Sequence, residues 1–173
     1  MEDPDVTEIK KNCDNKEYVL QAVKNKGKLL EFAIDELKDD EDVVRSALKQ
    51  DGEAMEFVSQ RLKDDKDIAL LAIKNAPWTA CYISDRLKAD KQVMMESIRE
   101  YGQSLYYASE RLRDDKELVK AAIENKGLIV KYASLRLRSD KEIAEIAVKN
   151  DKRAYLFLSE ELKQDEEIKK LLE

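Results

Sequence analysis

The chain has 173 residues, 40% charged and 43% hydrophobic, with a formal net charge of −6. That balance is too apolar for disorder, suits helices with one wet face, and opposes non-specific attraction to nucleic acid or acidic membranes. Two prolines and four glycines exclude a sheet of tight hairpins, and the absence of histidine removes the commonest catalytic base and transition-metal ligand.

The first segment, "MEDPDVTEIKKNCD" (1–14), lacks the basic and apolar regions of a signal peptide and reads as a helical cap. No apolar run approaches the roughly 20 residues that span a bilayer, so a cytoplasmic setting is expected. From Asn15 onward a period of 25 governs the chain. Aspartate stands at 40, 65, 90, 115, 140 and 165. Leu37, Leu62, Leu87, Leu112, Leu137 and Leu162 keep the same phase, as do Phe32, Phe57, Tyr82, Tyr107, Tyr132 and Phe157. Repeats at 15–39, 40–64, 65–89, 90–114, 115–139 and 140–164 follow, with 165–173 as a C-terminal cap, the whole forming one repeat domain.

Each repeat reads as two short helices. Asp40 is a good N-cap, followed by "ED" where the helix dipole favours negative charge. Val43, Val44, Ala47 and Leu48 then share one face. Gln50, Asp51 and Gly52 close the helix, with glycine suited to a left-handed C′ position, a role Gly27, Gly102 and Gly127 would share. A second helix is expected from about Glu53 to Lys63. Phe57 lies about 140° from Leu62 on it, implying a second buried face against the neighbouring repeat, with Ser59 and its equivalents small enough to receive the ring. The expected fold is all-α: an α-solenoid, a superhelical stack of six helix-turn-helix repeats. Cys13 and Cys81 would then lie on the order of 25 Å apart, against at most about 7 Å between disulfide-linked Cα atoms, so both are expected to remain thiols.

"DKELVKAAIENKG" (115–127) followed by "YASLRLRSD" (132–140) is the clearest form of the pattern. Over residues 15–165 it resembles a family of short tandem α-helical repeats classed as a domain of unknown function, found in protist, giant-virus and some bacterial proteins. "NAPWTACYISDRLKAD" (75–90) departs from it most. The resemblance implies no common activity and carries no catalytic residues across. For a viral or pathogen protein, host cytosol would be the setting.

Two polar columns recur. Arg61, Arg86, Arg111 and Arg136 each stand four residues after the column aromatic, a spacing that sets the guanidinium beside the ring. Aspartates nearby offer a second partner. Asn25, Gln50, Asn75, Asn125 and Asn150 end the first helices, where amides can satisfy helix-end carbonyls or bond to a neighbouring repeat. Paired carboxylates such as Asp114–Asp115 fall at helix starts, where capping accounts for them. No EF-hand spacing, phosphate loop or nucleophile elbow is present, so neither an enzyme nor a metal or other cofactor is expected.

Surface positions that are charged in the first two repeats change character from the third. Trp78, Cys81, Tyr106, Leu128, Leu135 and Leu156 appear there, with Tyr101 in a turn, Lys131 and Arg153 beside them, and Leu70 and Met95 at exposed places on the first helix. Trp78, Cys81, Tyr101, Tyr106, Leu128 and Lys131 are the candidate partner-binding residues, forming a ridge suited to another protein, on a chain expected to be monomeric. The competing reading is a nucleic-acid-binding solenoid that uses the arginine column with Lys63, Lys88, Arg113 and Arg138. A third is an inert spacer.

Overall fold

Each repeat begins where a side chain folds over the amides that follow it. Asp40 accepts from the N–H groups of Asp42 and Val43 at 3.1 and 3.2 Å. Asp65, Asp90, Asp115, Asp140 and Asp165 cap in the same way, and Asn15 accepts from the Tyr18 amide. These caps start the helices Lys16–Asn25, Glu41–Gln50, Lys66–Asn75, Lys91–Glu100, Lys116–Asn125 and Lys141–Asn150. The computed structural model describes residues 4–173, among which there is no strand and no helix long and apolar enough to cross a membrane. They fall into two units, one ending at Leu87 and the other running from Lys88 to Glu173.

In the first unit, Lys16–Asn25 packs on Glu41–Gln50, which packs on Lys66–Asn75. In the second, Lys91–Glu100, Lys116–Asn125 and Lys141–Asn150 stack in turn. Within each unit, every repeat therefore buries its apolar face against its sequence neighbours, the packing of an α-solenoid. Val43, Val44, Ala47 and Leu48 are fully buried, as their spacing on one face requires. The capping aspartates also join repeats: Lys91 reaches Asp115 at 2.8 Å, Lys116 reaches Asp140 at 2.7 Å and Lys141 reaches Asp165 at 2.9 Å. Glu41 stands where these lysines stand, and faces Arg45 and Arg61 instead.

The second half of the repeat differs from the single helix expected over Glu53–Lys63. A 3₁₀ helix, Gly52–Phe57, ends at Val58, and after extended backbone at Val58 and Ser59 one α-turn follows, Gln60–Lys63. The cause is tertiary. The Ser59 amide leaves its own segment to donate to the Lys38 carbonyl one repeat back, at 3.1 Å. Ser84, Ser109, Ser134 and Ser159 do likewise to Lys63, Lys88, Arg113 and Arg138. The serine hydroxyl then caps the new turn, Ser59 accepting from the Leu62 amide at 3.2 Å. Its role is to cap, not to receive a ring.

That break also removes the second buried face expected of the aromatic column. Phe57, Tyr82 and Tyr132 are half-buried and Tyr107 is exposed, while Ala54, Met55, Val58 and Leu62 make the core. The glycines are corrected too. No residue described, glycine included, has positive φ, so none is a left-handed cap. Each glycine opens a 3₁₀ helix against the next repeat: a Cβ on Gly52 would lie 2.7 Å from the Ala72 carbonyl oxygen, and one on Gly102 2.7 Å from that of Ala122. Close approach, not backbone handedness, demands glycine there. Met95, expected at the surface, is buried between the flanking side chains of Lys91 and Arg99. Leu70 is half-buried.

Candidate functional site

The exposed large apolar side chains among the described residues are Trp78, Tyr106, Tyr107, Leu135 and Leu156. All but Trp78 belong to the second unit. Position along the 3₁₀ helix decides their exposure. In Gly102–Tyr107, Ser104 and Leu105 face the core, which leaves Tyr106 and Tyr107 outward. Tyr106, 56% exposed, meets the Tyr107 ring edge-on at 5.1 Å between centroids and the Tyr132 ring of the next repeat at 5.0 Å. Lys131 places its ammonium 4.7 Å from the Tyr132 centroid.

Beside this cluster lies an open groove of about 530 Å³ between the short helices Glu110–Arg113 and Leu135–Arg138. Tyr132, Ala133 and Leu135 give it an apolar side, and Glu110, Arg113, Asp114 and Arg136 a charged one. Leu135 is 74% exposed at its rim, a position held by Asp35, Gln60, Asp85, Glu110 and Glu160 in the other repeats. An apolar wall with a few charged groups along one edge is the usual composition of a protein-recognition surface.

The candidate residues are divided between the units. Tyr106 and Lys131 come together through Tyr132. Leu128 and Tyr101 are half-buried in the same unit, with the Tyr101 amide ending the Lys91–Glu100 helix on the Ser97 carbonyl at 2.8 Å. Trp78 and Cys81 belong to the first unit. Trp78 is 44% exposed, and its indole N–H donates to Glu53 one repeat back at 2.9 Å, on a carboxylate that also pairs with Lys28. Cys81 is half-buried, and both cysteines are thiols.

Tyr107 and Tyr132, which periodicity places in the core, instead join Tyr106 in the surface aromatic cluster. One signal could have found them: the column is tyrosine in repeats three to five, and a phenol needs water or a partner for its hydroxyl.

The arginine column is tied inward. Arg61 donates to both carboxylate oxygens of Asp39 at 3.0 Å and to the Asp39 carbonyl at 2.8 Å. Arg86 holds Asp64, and Arg136 holds Asp114, in the same way. For Arg61, Arg86 and Arg136, aspartates one repeat back thus take the guanidinium, in place of the expected seat beside the column ring; cation–ring contacts among the described residues are Lys10 with Phe32 and Lys131 with Tyr132. Arg113 and Arg138 are half-buried with buried Nε atoms, and Lys63 donates to the Glu56 carbonyl at 2.7 Å. The amide column behaves as read. Asn75 donates to the Leu48 carbonyl at 2.7 Å, and Asn150 donates to Glu124 while accepting from the Gly127 amide.

The same aspartates carry a pH dependence. The Ser59, Ser84 and Ser134 hydroxyls, and then the arginines, hold the Asp39, Asp64 and Asp114 carboxyls below the usual carboxylate range. Stabilisation from a depressed carboxyl is complete above its unfolded-state value near 4 and disappears as pH falls through the folded value. The unfolding midpoint is therefore expected to drop below about pH 4. An Asp39→Asn/Asp64→Asn/Asp114→Asn variant, less stable at neutral pH, should lose fewer degrees between neutral and acidic buffer than the parent. Equal losses in thermal melts would refute the assignment.

The family model described as domain of unknown function (DUF4116) matches residues 15–63, 45–88, 65–113 and 115–163. Comparison with curated proteins and with solved structures returns no match. Four matches, each about two repeats long and the first three overlapping in turn, cover well over half of the 173 residues, and the chain belongs to the tandem-repeat family described as domain of unknown function (DUF4116).

Proposed function

We propose that this chain is a non-catalytic protein-interaction module whose binding face is the Tyr106–Tyr132–Leu135 groove of the second unit. The observation that carries the reading is the exposure there of Tyr106 and Leu135, beside the Tyr107 and Tyr132 rings, at two positions that are polar in the first two repeats. Exposing Tyr106 and Leu135 costs solubility without improving the core, which a binding role explains. Aromatic anchors beside charged groups are the composition of interface hot spots. Lys131 and Leu128 belong to the proposed face with Tyr101, while Trp78 and Cys81 form a separate candidate patch on the first unit. The repeated aspartates are committed to caps and ion pairs and the chain has no histidine, which supports a role without catalysis.

The test is parallel capture with wild-type bait and with Tyr106→Ser/Leu135→Ser bait of matched helical content, read by mass spectrometry. A Trp78→Ala bait runs as a third arm. Proteins retained by the wild type should be depleted at least tenfold on the double variant. A depletion restricted to the Trp78→Ala arm would move the face to the first unit, and equal recovery on all three would overturn the proposal.

A further inference from the structure

One three-part arrangement recurs inside both units. Asp39 accepts from the Ser59 hydroxyl and from Arg61; Asp64 accepts from Ser84 and Arg86; Asp114 accepts from Ser134 and Arg136. In each, the arginine Nε lies 2.9 to 3.0 Å from one carboxylate oxygen, and a terminal nitrogen reaches the same aspartate's backbone carbonyl. Where the third repeat meets the fourth, the serine and the arginine are kept as Ser109 and Arg111, but Ala89 stands in place of the aspartate.

The consequence is visible in both remaining groups. Arg111 retains only the backbone half of the arrangement, donating to the Ala89 carbonyl at 2.7 Å, and no carboxylate among the described residues pairs with it. The Ser109 hydroxyl is buried and has no hydrogen-bond partner, whereas Ser59, Ser84 and Ser134 each donate to an aspartate and accept from the amide three residues on. A buried hydroxyl left without a partner loses its hydration with nothing in exchange, so it calls for a reason. The junction of the fifth and sixth repeats supplies the contrast: Ser139 replaces the aspartate there and Glu161 replaces the arginine, so cation and anion are lost together. At Ala89 the anion alone is gone and its two recognition groups stay.

We propose that Ser109 and Arg111 form a carboxylate-binding subsite that receives an aspartate or glutamate side chain of the partner protein. The proposal rests on the reading of the second unit as a protein-binding surface and names what the partner brings to it. Three in-chain aspartates show that this donor pair accepts a carboxylate, with Nε–H and hydroxyl on neighbouring lone pairs. Arg111 is exposed, and the exposed Tyr106 and Tyr107 precede it by four to five residues across the extended Ala108–Ser109 break, so one short segment could set an acidic side chain on Arg111 and an apolar one on the tyrosines. The second unit has 18 basic and 18 acidic residues, against 14 and 20 in the first, so an acidic segment meets no net repulsion there.

The probe is N-acetyl-aspartate methylamide, titrated into the protein while the arginine Nε–H resonances are followed by NMR, with the neutral asparagine analogue as control. The Arg111 resonance is expected to move saturably with the aspartate compound alone, while that of Arg136, already paired, stays in place. Ala89→Asp supplies the carboxylate within the chain. It should abolish the response and raise the unfolding midpoint by about 2–4 °C, the shift that roughly 1 kcal/mol produces in a chain of this length. An unmoved Arg111 resonance, or one that still moves in Ala89→Asp or Arg111→Gln, would overturn the proposal. Because the probe is a small molecule, that outcome is separate from loss or retention of a captured partner.

Discussion

Gly127→Ala is expected to lower the unfolding midpoint by several degrees, although backbone considerations alone point the other way. Glycine at negative φ is normally a stabilising site for alanine, by about 0.4–1 kcal/mol, because alanine restricts the unfolded chain. Gly127 has negative φ or extended backbone like every other residue described. Its added Cβ, however, would sit deep inside van der Waals contact with the Ala147 carbonyl oxygen and 2.9 Å from the Asp151 amide nitrogen. Both are helix or helix-end backbone, which cannot rotate away as a side-chain tip would. Overpacking of that kind costs about 1–3 kcal/mol, more than the entropic gain, and the net loss corresponds to roughly 2–6 °C. Lys152→Ala is the internal control: the sixth repeat already carries a side chain at the equivalent place, exposed and donating to the Leu172 carbonyl, so its melt should move little. Equal midpoints for Gly127→Ala and the parent would show that the next repeat can yield.

The largest single loss is expected from Leu105→Ala. Leu105 is fully buried in the 3₁₀ helix Gly102–Tyr107, which packs against the helices Lys91–Glu100 and Lys116–Asn125. Removing a leucine from such a place costs about 2–5 kcal/mol, with the spread set by how far the surroundings collapse. Leu135→Ala, two repeat halves later and 74% exposed, should stay within about 0.5 kcal/mol of the parent. Chemical denaturation of the pair measures both. A costly Leu135→Ala would mean that this leucine serves the core and would remove one anchor of the proposed interface.

Much of the fold was legible because caps and apolar faces are local. Asp40 and its equivalents announce helix starts by residue type and spacing, and Val43, Val44, Ala47 and Leu48 announce the buried face. What misled was treating Glu53–Lys63 as one helix. Ser59 is an N-cap residue in the middle of that span, and the bond that breaks the helix runs to Lys38, one repeat earlier. Nothing within the segment records that bond. The same applies to Gly52, whose reason for being glycine is the Ala72 carbonyl of the following repeat. For the site, the departures at Tyr106 and Leu135 were readable as changes of type within a column. Tyr107 and Tyr132 were hidden because a helical wheel drawn through the break puts them on the wrong side.

The bonds between repeats also carry an implication for how such a chain can change. Lys116 with Asp140, Arg136 with Asp114, the Ser134 amide with the Arg113 carbonyl and Asn150 with Glu124 all join one repeat to the one beside it, at fixed offsets. Within a unit, a duplicated or deleted stretch of 25 residues would therefore keep the offset of every such bond, and the backbone bonds among them need no particular side chain to re-form. A shift of even one residue would break all of them at that junction. Length is thus variable in whole repeats and forbidden in fractions of one, while single positions such as Ala89 or Leu135 can diverge without disturbing the register.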